Sequence, residues 1–396
     1  MMLPKDIIIP QILNAKNTTY LTHNFHPYSA KFIPQLPRIM IEKFTKVNEK
    51  IIDPFCGSGT SLVEAKLLNR KAIGIDSHPI GILMSKVKTT KIPEKGLDLI
   101  PNILNSIKKE ISQYYAEKKG SILNYLKTEN PPKENRINLP EFSNRDHWIK
   151  KNVLYEISII KQEIDKLEDK NLKNFLLLGL SAITVQVSNQ ESETRYAAIE
   201  KDNPNFKTFN LFKCKINDMV KRMREFNTVA SDSKIYVYQS DARFIDYIDD
   251  RSIDFIVTSP PYPNTYDYYL YHKLRMFILG HNVKKVQNNE IGSRHKHSSK
   301  KEDLSSYIDD MIKCFNHFHR ILKPNKYFVI VVGDSIIRKE FIDGLEITKQ
   351  IAERTNFEYV EEINYSLNLI SKTFNSRFRN KTKFEHVILL RNSKGD

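Results

Sequence analysis

The run Thr258-Ser259-Pro260-Pro261-Tyr262 follows a stretch, Ile253 to Val257, that reads as a buried strand. Consecutive prolines fix the backbone and remove N–H donors, so the carbonyls around them are held rigidly as acceptors. An exocyclic amino group of a base is a donor in need of acceptors. The Ser259 hydroxyl and the Pro260 carbonyl can receive its two hydrogens and turn the nitrogen lone pair toward a methyl sulfonium. Tyr262 offers a flat face for base stacking, a contact worth roughly 1–3 kcal/mol. The plain alternative is a turn that merely ends a strand, but a buried parallel strand has no packing need for Ser-Pro-Pro-Tyr.

A second constellation lies upstream in Asp53-Pro54-Phe55-Cys56-Gly57-Ser58-Gly59-Thr60, where a strand ends and a helix begins. Glycines there let the backbone approach a ligand that any side chain would obstruct, and the free N–H groups of the helix's first turn suit an electron-rich group. A Gly-x-Gly alone is also an ordinary tight turn. Asp76, closing the next strand in KAIGIDSHP, can accept both hydroxyls of a ribose, although an acid at that point can also simply cap a helix. Asp241 in QSDA ends a third strand. Ligands of open α/β sheets bind at the carboxyl ends of the strands, so Asp53, Asp76 and Asp241 converge where a nucleoside would sit.

The elements that must position these residues fall into two α/β regions. The first, about residues 27–91, has a helix at 35–44, a strand at 50–55, a helix at 60–68 and a strand at 71–76, which implies a parallel crossover. The second starts near Ser233 with KIYVYQSDA, IDFIVTSPPY and YFVIVVGD, followed by NYSLNLI and EHVILLR, giving seven strands in all. Between them, residues 92–231 carry apolar positions at helical spacing, as in VLYEISIIKQEIDKL, and read as a largely helical insertion with a surface loop at TENPPKENRINLPEFSNRD. Three parts are therefore expected: residues 1–91, the insertion 92–231, and residues 232–396. Residues 284–301 read as a basic loop carrying Lys284, Lys285, Arg294, Lys296, Lys300 and Lys301, suited to a phosphate backbone or to plain solvation.

Composition bounds the rest. Sixty-two Lys and Arg against 47 Asp and Glu give a formal charge of +15, which favours a polyanionic partner. Cys56, Cys214 and Cys314 are far apart and lack metal-ligand spacing, so neither a disulfide framework nor a metal site is expected. The first residues lack the features of a secretory signal and no apolar run is long enough to span a bilayer, so a cytoplasmic protein with no membrane partner is expected.

DPFCGSGT, GID and TSPPY resemble the cofactor loop, the ribose-binding acid and the catalytic motif of the DNA amino-methyltransferases. His26-Pro27-Tyr28-Ser29-Ala30-Lys31-Phe32 is similar to the family's remaining cofactor motif, and PNTYDYYLYHKLRMFILG and EIGSR to its continuation beyond Ser-Pro-Pro-Tyr. The resemblance implies a seven-stranded Rossmann-like sheet with the last strand antiparallel, S-adenosylmethionine as cofactor and double-stranded DNA as partner, with a cognate restriction endonuclease as a further one. It implies that His26, Tyr28, Lys31, Phe32, Asp53, Pro54, Phe55, Gly57, Ser58, Gly59, Thr60, Asp76 and Asp241 serve the cofactor. Ser259, Pro260, Pro261 and Tyr262 would serve the flipped base, with N4 of cytosine favoured because Ser leads the motif.

Three other readings share much of this pattern: adenine N6 methylation, an RNA amino-methyltransferase, and an inert DNA-binding subunit, which would have no use for Ser-Pro-Pro-Tyr. Cys56 reads as a small packing residue, since direct methyl transfer needs no covalent intermediate. Of Tyr266, Asp267, Tyr268, Tyr269 and Tyr271, some can line a base pocket while most pack against the sheet. Lys273 and Arg275 are candidates for phosphate contact, His272 is unassigned, and Trp148 reads as a core anchor.

Overall fold

The computed structural model describes residues 2–8, 15–31, 33–125, 137–366, 377–378 and 381–393. Its centre is a sheet of β1 (Lys50–Asp53), β2 (Lys71–Asp76), β3 (Ile235–Gln239), β4 (Ile253–Thr258), β5 (Leu322–Gly333), β6 (Phe357–Ser366) and β7 (Phe384–Asn392). The spatial order is β6-β7-β5-β4-β1-β2-β3. Strand β7 is antiparallel to both of its neighbours, while the pairs among β3, β2, β1, β4 and β5 are parallel. The expected sheet, seven strands with the last antiparallel, is the one observed.

Side-chain type explains the placement. Every residue of β4 is buried, as expected of a strand covered on both faces. One face packs on helices α1 (Gln35–Phe44) and α2 (Thr60–Leu67), through Leu36, Met40, Leu62 and Ala65. The other packs on Leu304–Ile321 and Gly344–Arg354 through Phe315, Phe318, Ile351 and Ala352.

The chain runs outward from β1 through β2 to β3 and then returns to lay β4 against the other side of β1, in register Ile51↔Phe255 and Ile52↔Ile256. The carboxyl ends of β1 and β4 therefore flank the point where the strand order reverses, the place where open α/β sheets hold their ligands.

A third core is built mainly by the region between β2 and β3, with Phe25, Val63, Tyr269 and Met276 joining it from the two flanking regions. Helix α3 (Pro79–Thr89) leads into Ile100–Tyr125, Lys151–Asp165, Lys170–Val187 and Lys207–Val229, which share one apolar interior with Phe175, Phe212 and Phe226 at its centre. Glu156 is buried within it, accepting Tyr115 Oη (2.7 Å) and the amides of Phe206 (2.6 Å) and Phe209 (3.0 Å), so it caps the Lys207–Val229 helix from inside. Where the chain leaves the sheet and where it returns lie side by side. Lys91 Nζ pairs with Asp232 (2.8 Å) and Asn227 donates to the Ile92 carbonyl (2.7 Å). Trp148 packs against this core and stacks on Tyr196 at 4.0 Å.

Two expectations about elements need correction and a third gains a detail. Strand β6 is Phe357–Ser366, so NYSLNLI contributes only its first residues, and 367–376 lie outside the described residues. Glu358, Glu361 and Glu362 broke the apolar pattern there, yet an edge strand tolerates a solvated side. The insertion also contains a short hairpin, Gln190–Ser192 with Arg195–Ala198. The basic segment is no open loop: Val283–Asn289 is a helix whose N-terminus is capped by the Asn282 side chain accepting Lys285 N (3.0 Å), with a further helical turn at His295–Ser299.

Candidate active site

The two motif turns meet. The turn after β1 and the turn after β4 share a cleft of about 880 Å³, counted to its open mouth, lined by Gly57, Ser58, Thr60, Asp76, Asp241, Ser259 and Pro261 among others.

The glycine turn has its shape because no side chain is present. Gly57 (φ 44°) and Gly59 (φ 79°) occupy the left-handed region. A Cβ on Gly57 would lie 3.1 Å from the Tyr28 hydroxyl, and one on Gly59 would lie 2.9 Å from Ser85 Cα. Asp76 fixes the turn from the next strand: its carboxylate accepts Gly57 N (2.8 Å) and His78 N (2.7 Å). Removal from bulk water pushes the Asp76 carboxyl up to about 6, against those two bonds. Asp53 also lines the cleft, but its oxygens are engaged by Thr258 Oγ1 (2.6 Å), Ser61 Oγ (2.6 Å) and Phe55 N (3.2 Å). It clamps the end of β1 to the end of β4 and to the start of α2. Burial raises its carboxyl to about 6, with the Ser61 and Thr258 bonds opposing. Asp241 is held by Arg243, whose Nη2 lies 2.6 Å from Oδ2.

The proline turn is fixed by side chains. Ser259 Oγ lies 3.3 Å from Tyr262 Oη, and Tyr262 Oη donates to Glu385 (2.6 Å), which also accepts Tyr365 Oη. The Tyr262 ring rests on Gly333, where a Cβ would come within 2.7 Å of the ring, and it faces a second, smaller cavity with Tyr307, Met311 and Phe315. Pro260 is buried. Of the four expected catalytic residues, Ser259 and Pro261 thus line the shared cleft, while Pro260 and Tyr262 stand behind it.

The upstream motif divides in the same way. Tyr28 and Lys31 line the cleft, and the Tyr28 ring stacks with Tyr268 (5.5 Å) and with His272 (5.4 Å). His26 is buried away from it, bonded through Nε2 to Ser181 Oγ (2.9 Å), so it ties the segment to the insertion. Phe32 lies outside the described residues. Cys56, with its thiol raised by burial, is no candidate nucleophile.

Arg275 is not available to a phosphate. It is 1% exposed and committed to Glu193 (2.7 Å) and the Ser181 carbonyl (2.9 Å), because a buried guanidinium must be paired. His272 is buried beside it, and Lys273 lies over the Tyr196 and Phe277 rings. The other expected DNA contacts are better placed: Lys284, Lys285 and Arg294 are exposed and Lys296 is half-buried.

Three residues emerge only from the fold. Glu290, 8% exposed, lines the cleft between Asn289 and Ile291. Glu385 holds Tyr262. His78 lines the cleft and accepts Ile80 N through Nδ1 (3.2 Å), which leaves Nε2 as the protonated nitrogen, buried and without a protein partner among the described residues. Burial lowers the His78 pKa to about 3, so this donor is neutral. Asp53, Asp76, Asp241 and Glu290 against Lys31 give the cleft an acidic lining. These acceptors fit a ligand that is cationic and carries hydroxyls, as S-adenosylmethionine does.

Residues 4–86 and 253–395 match the family described as DNA methylase, the N6/N4 type. The chain is 27% identical over 394 aligned positions to the type II methyltransferase M.MvaI of Kocuria varians, covering 87% of this chain and 84% of that protein. It is 24% identical to M.MjaII of Methanocaldococcus jannaschii, covering 89% and 81%, and 25% identical to M.BsoBI of Geobacillus stearothermophilus, covering 82% and 64%.

Proposed function

The chain belongs to the N6/N4 DNA methylase family, and from that premise we propose that it methylates N4 of cytosine at a specific site in double-stranded DNA, as the modification partner of a restriction endonuclease. S-adenosylmethionine is the cofactor and, when bound, supplies the electrophilic methyl group. The observation that carries the reading is the shared cleft: Ser259 and the glycine turn line one space at the ends of β1 and β4.

The residues of the chain have separable tasks. Tyr262 Oη donates its hydrogen to Glu385, so it can accept the Ser259 hydroxyl hydrogen. The lone pairs of Ser259 Oγ are then free for an amino hydrogen, and the Pro260 carbonyl takes the other. This orients the amino lone pair and offers acceptors to the positive charge that develops on nitrogen. No strong base is needed, because the amino proton becomes acidic only after methyl transfer, when it can pass to solvent water. Asp76 and Asp241 attract a cationic donor, with Asp76 serving ribose hydroxyls.

The extruded base costs a few kcal/mol to flip, a cost that DNA contacts must offset. Lys284, Lys285, Arg294 and Lys296 are the proposed phosphate contacts, and the helical body 92–231 is the proposed target-recognition region. The site of action is the cytoplasm.

The test is to express the chain in a host lacking modification enzymes and to identify modified nucleosides by mass spectrometry, with sequencing of their context. N4-methylcytosine at one sequence is expected. N6-methyladenine would overturn the base assignment, and unmodified DNA from a folded, expressed chain would overturn the activity.

A further inference from the structure

Glu290 is an acid that the mechanism above leaves unused. It follows the helix Val283–Asn289 and faces Asp76 and Asp241 around the cleft. It also reaches the other way: Oε1 accepts Tyr268 N (2.6 Å) and Oε2 accepts Tyr269 N (3.3 Å), closing the N-terminus of the turn Tyr268–Tyr271. Tyr268 lies flat on Tyr28 at 5.5 Å, and Tyr28 covers Gly57. One carboxyl group thus joins the cofactor space to the segment that continues the Ser-Pro-Pro-Tyr turn.

We propose that Glu290 is a cofactor-binding residue that ionises as the cationic methyl donor occupies the cleft, and that in ionising it tightens the Tyr268–Tyr271 turn close to Ser259. The inference rests on reading the cleft as the S-adenosylmethionine site. From the protein's own groups alone, burial pushes the Glu290 carboxyl up to about 8, with the two amide bonds opposing and Asp267 and Asp76 adding to the rise. At neutral pH it is therefore largely protonated. A sulfonium, an ammonium or a ribose hydroxyl placed beside it favours the ionised form. An ionised carboxylate then holds the Tyr268 and Tyr269 amides about twice as strongly as a neutral acceptor. Cofactor would in this way prepare the base side of the site before a base arrives.

The other groups facing Glu290 do not imitate it. Asp76, from β2, titrates near 6, as does Asp53 from β1. Asp241, after β3, is ion-paired with Arg243. Tyr28, Tyr268, Tyr269 and Tyr271 are raised above the ordinary phenol range by burial, and His78 and His272 are lowered by it. Lys31 is lowered from its ordinary value by burial. Arg294 lies near Tyr271.

The experiment is calorimetric titration of the full chain with S-adenosylmethionine between pH 6.5 and 9, in buffers of different ionisation enthalpy. Wild type is expected to bind roughly tenfold tighter at pH 7.5 than at 6.5, to level off above about 8.5, and to release close to one proton at pH 7. The cofactor's own α-amine, with an ordinary pKa of about 7.7–8.0, would take up a proton if bound as ammonium, so the sign separates the two. E290Q should bind more weakly at pH 8.5, lose the pH dependence and release none; D76N should weaken binding but keep the rise toward pH 8. Amide exchange at Tyr268 and Tyr269 should slow on binding in wild type and not in E290Q. Wild-type binding without proton release at pH 7, an unchanged pH profile in E290Q, or equal slowing of exchange in both chains would overturn the proposal. Wild type that binds no cofactor at any pH would instead overturn the assignment of the cleft.

Discussion

The turn after β1 and the turn after β4 leave neighbouring strands at one edge of the sheet, yet they are made of opposite materials. In the first, Gly57 and Gly59 supply shape by lacking side chains, and the shape is held by an acceptor, Asp76, on the Gly57 amide. In the second, prolines supply shape through their rings, and Ser259 is oriented by Tyr262 and Glu385. Deleting a side chain makes room for a ligand, whereas deleting an N–H leaves acceptors without a competing donor. The first turn should therefore govern whether a donor molecule is held, and the second whether an amino group is oriented.

The comparison breaks most visibly at Ser259. Ser259→Ala should lower kcat by about 10²–10³ while S-adenosylmethionine affinity stays close to wild type. Equal loss in both would mean that the two turns do not divide the work. Asp76→Ala should do the reverse, weakening cofactor binding by roughly 10–100-fold, the loss of a charge-assisted hydrogen bond, with kcat at saturating cofactor reduced less; Gly57→Val should act in the same direction through its clash with Tyr28. Tyr262→Phe keeps the ring on Gly333 but cuts the link to Glu385. A kcat loss of about tenfold, smaller than for Ser259→Ala, is expected, and an unchanged kcat would remove the hydroxyl chain from the mechanism. The smallest effect should come from Lys284→Ala with Lys285→Ala. Each lost phosphate contact lowers the slope of log affinity against log salt by about 0.9, leaving cofactor binding untouched.

Stability should follow pH with a definite sign. Asp53 and Asp76 are raised to about 6, and Glu290 to about 8, from ordinary values near 4. Groups raised on folding stabilise most below their unfolded pKa and lose that contribution as pH rises through the folded value. His78 and His272, lowered by burial, work in the opposite direction but only up to the ordinary histidine range, so the melting temperature of the cofactor-free chain should fall between about pH 7 and 9, where Glu290 titrates, and saturating cofactor should flatten the fall.

Glycine and proline write their consequences into the backbone directly, which is why Gly57, Gly59, Pro260 and Pro261 were legible in the sequence, and why β1, β2 and β4 could be placed around them. Residues that act by arriving from elsewhere were not legible. Glu290 reads in sequence as the single acid of a basic stretch, and Glu385 as the polar first position of the last strand; only the fold brings one to the cleft and the other to Tyr262. His26 and Arg275 carried chemically plausible side chains that the packing of the insertion turned inward. The helix Val283–Asn289 buries only Val286, too little periodicity to reveal it.

The helical body rises from the sheet on two strands of chain that stand next to each other, joined by Lys91 with Asp232 and by Asn227 with the Ile92 carbonyl. Because β2 and β3 are already neighbours, whatever hangs from that neck imposes no change of spacing below it. Above the neck, however, the body is not independent of the cleft: His26 and Arg275 both bond to its Ser181, and Phe25, Tyr269 and Met276 share its core, so it braces the two segments that carry Tyr28 and Tyr268.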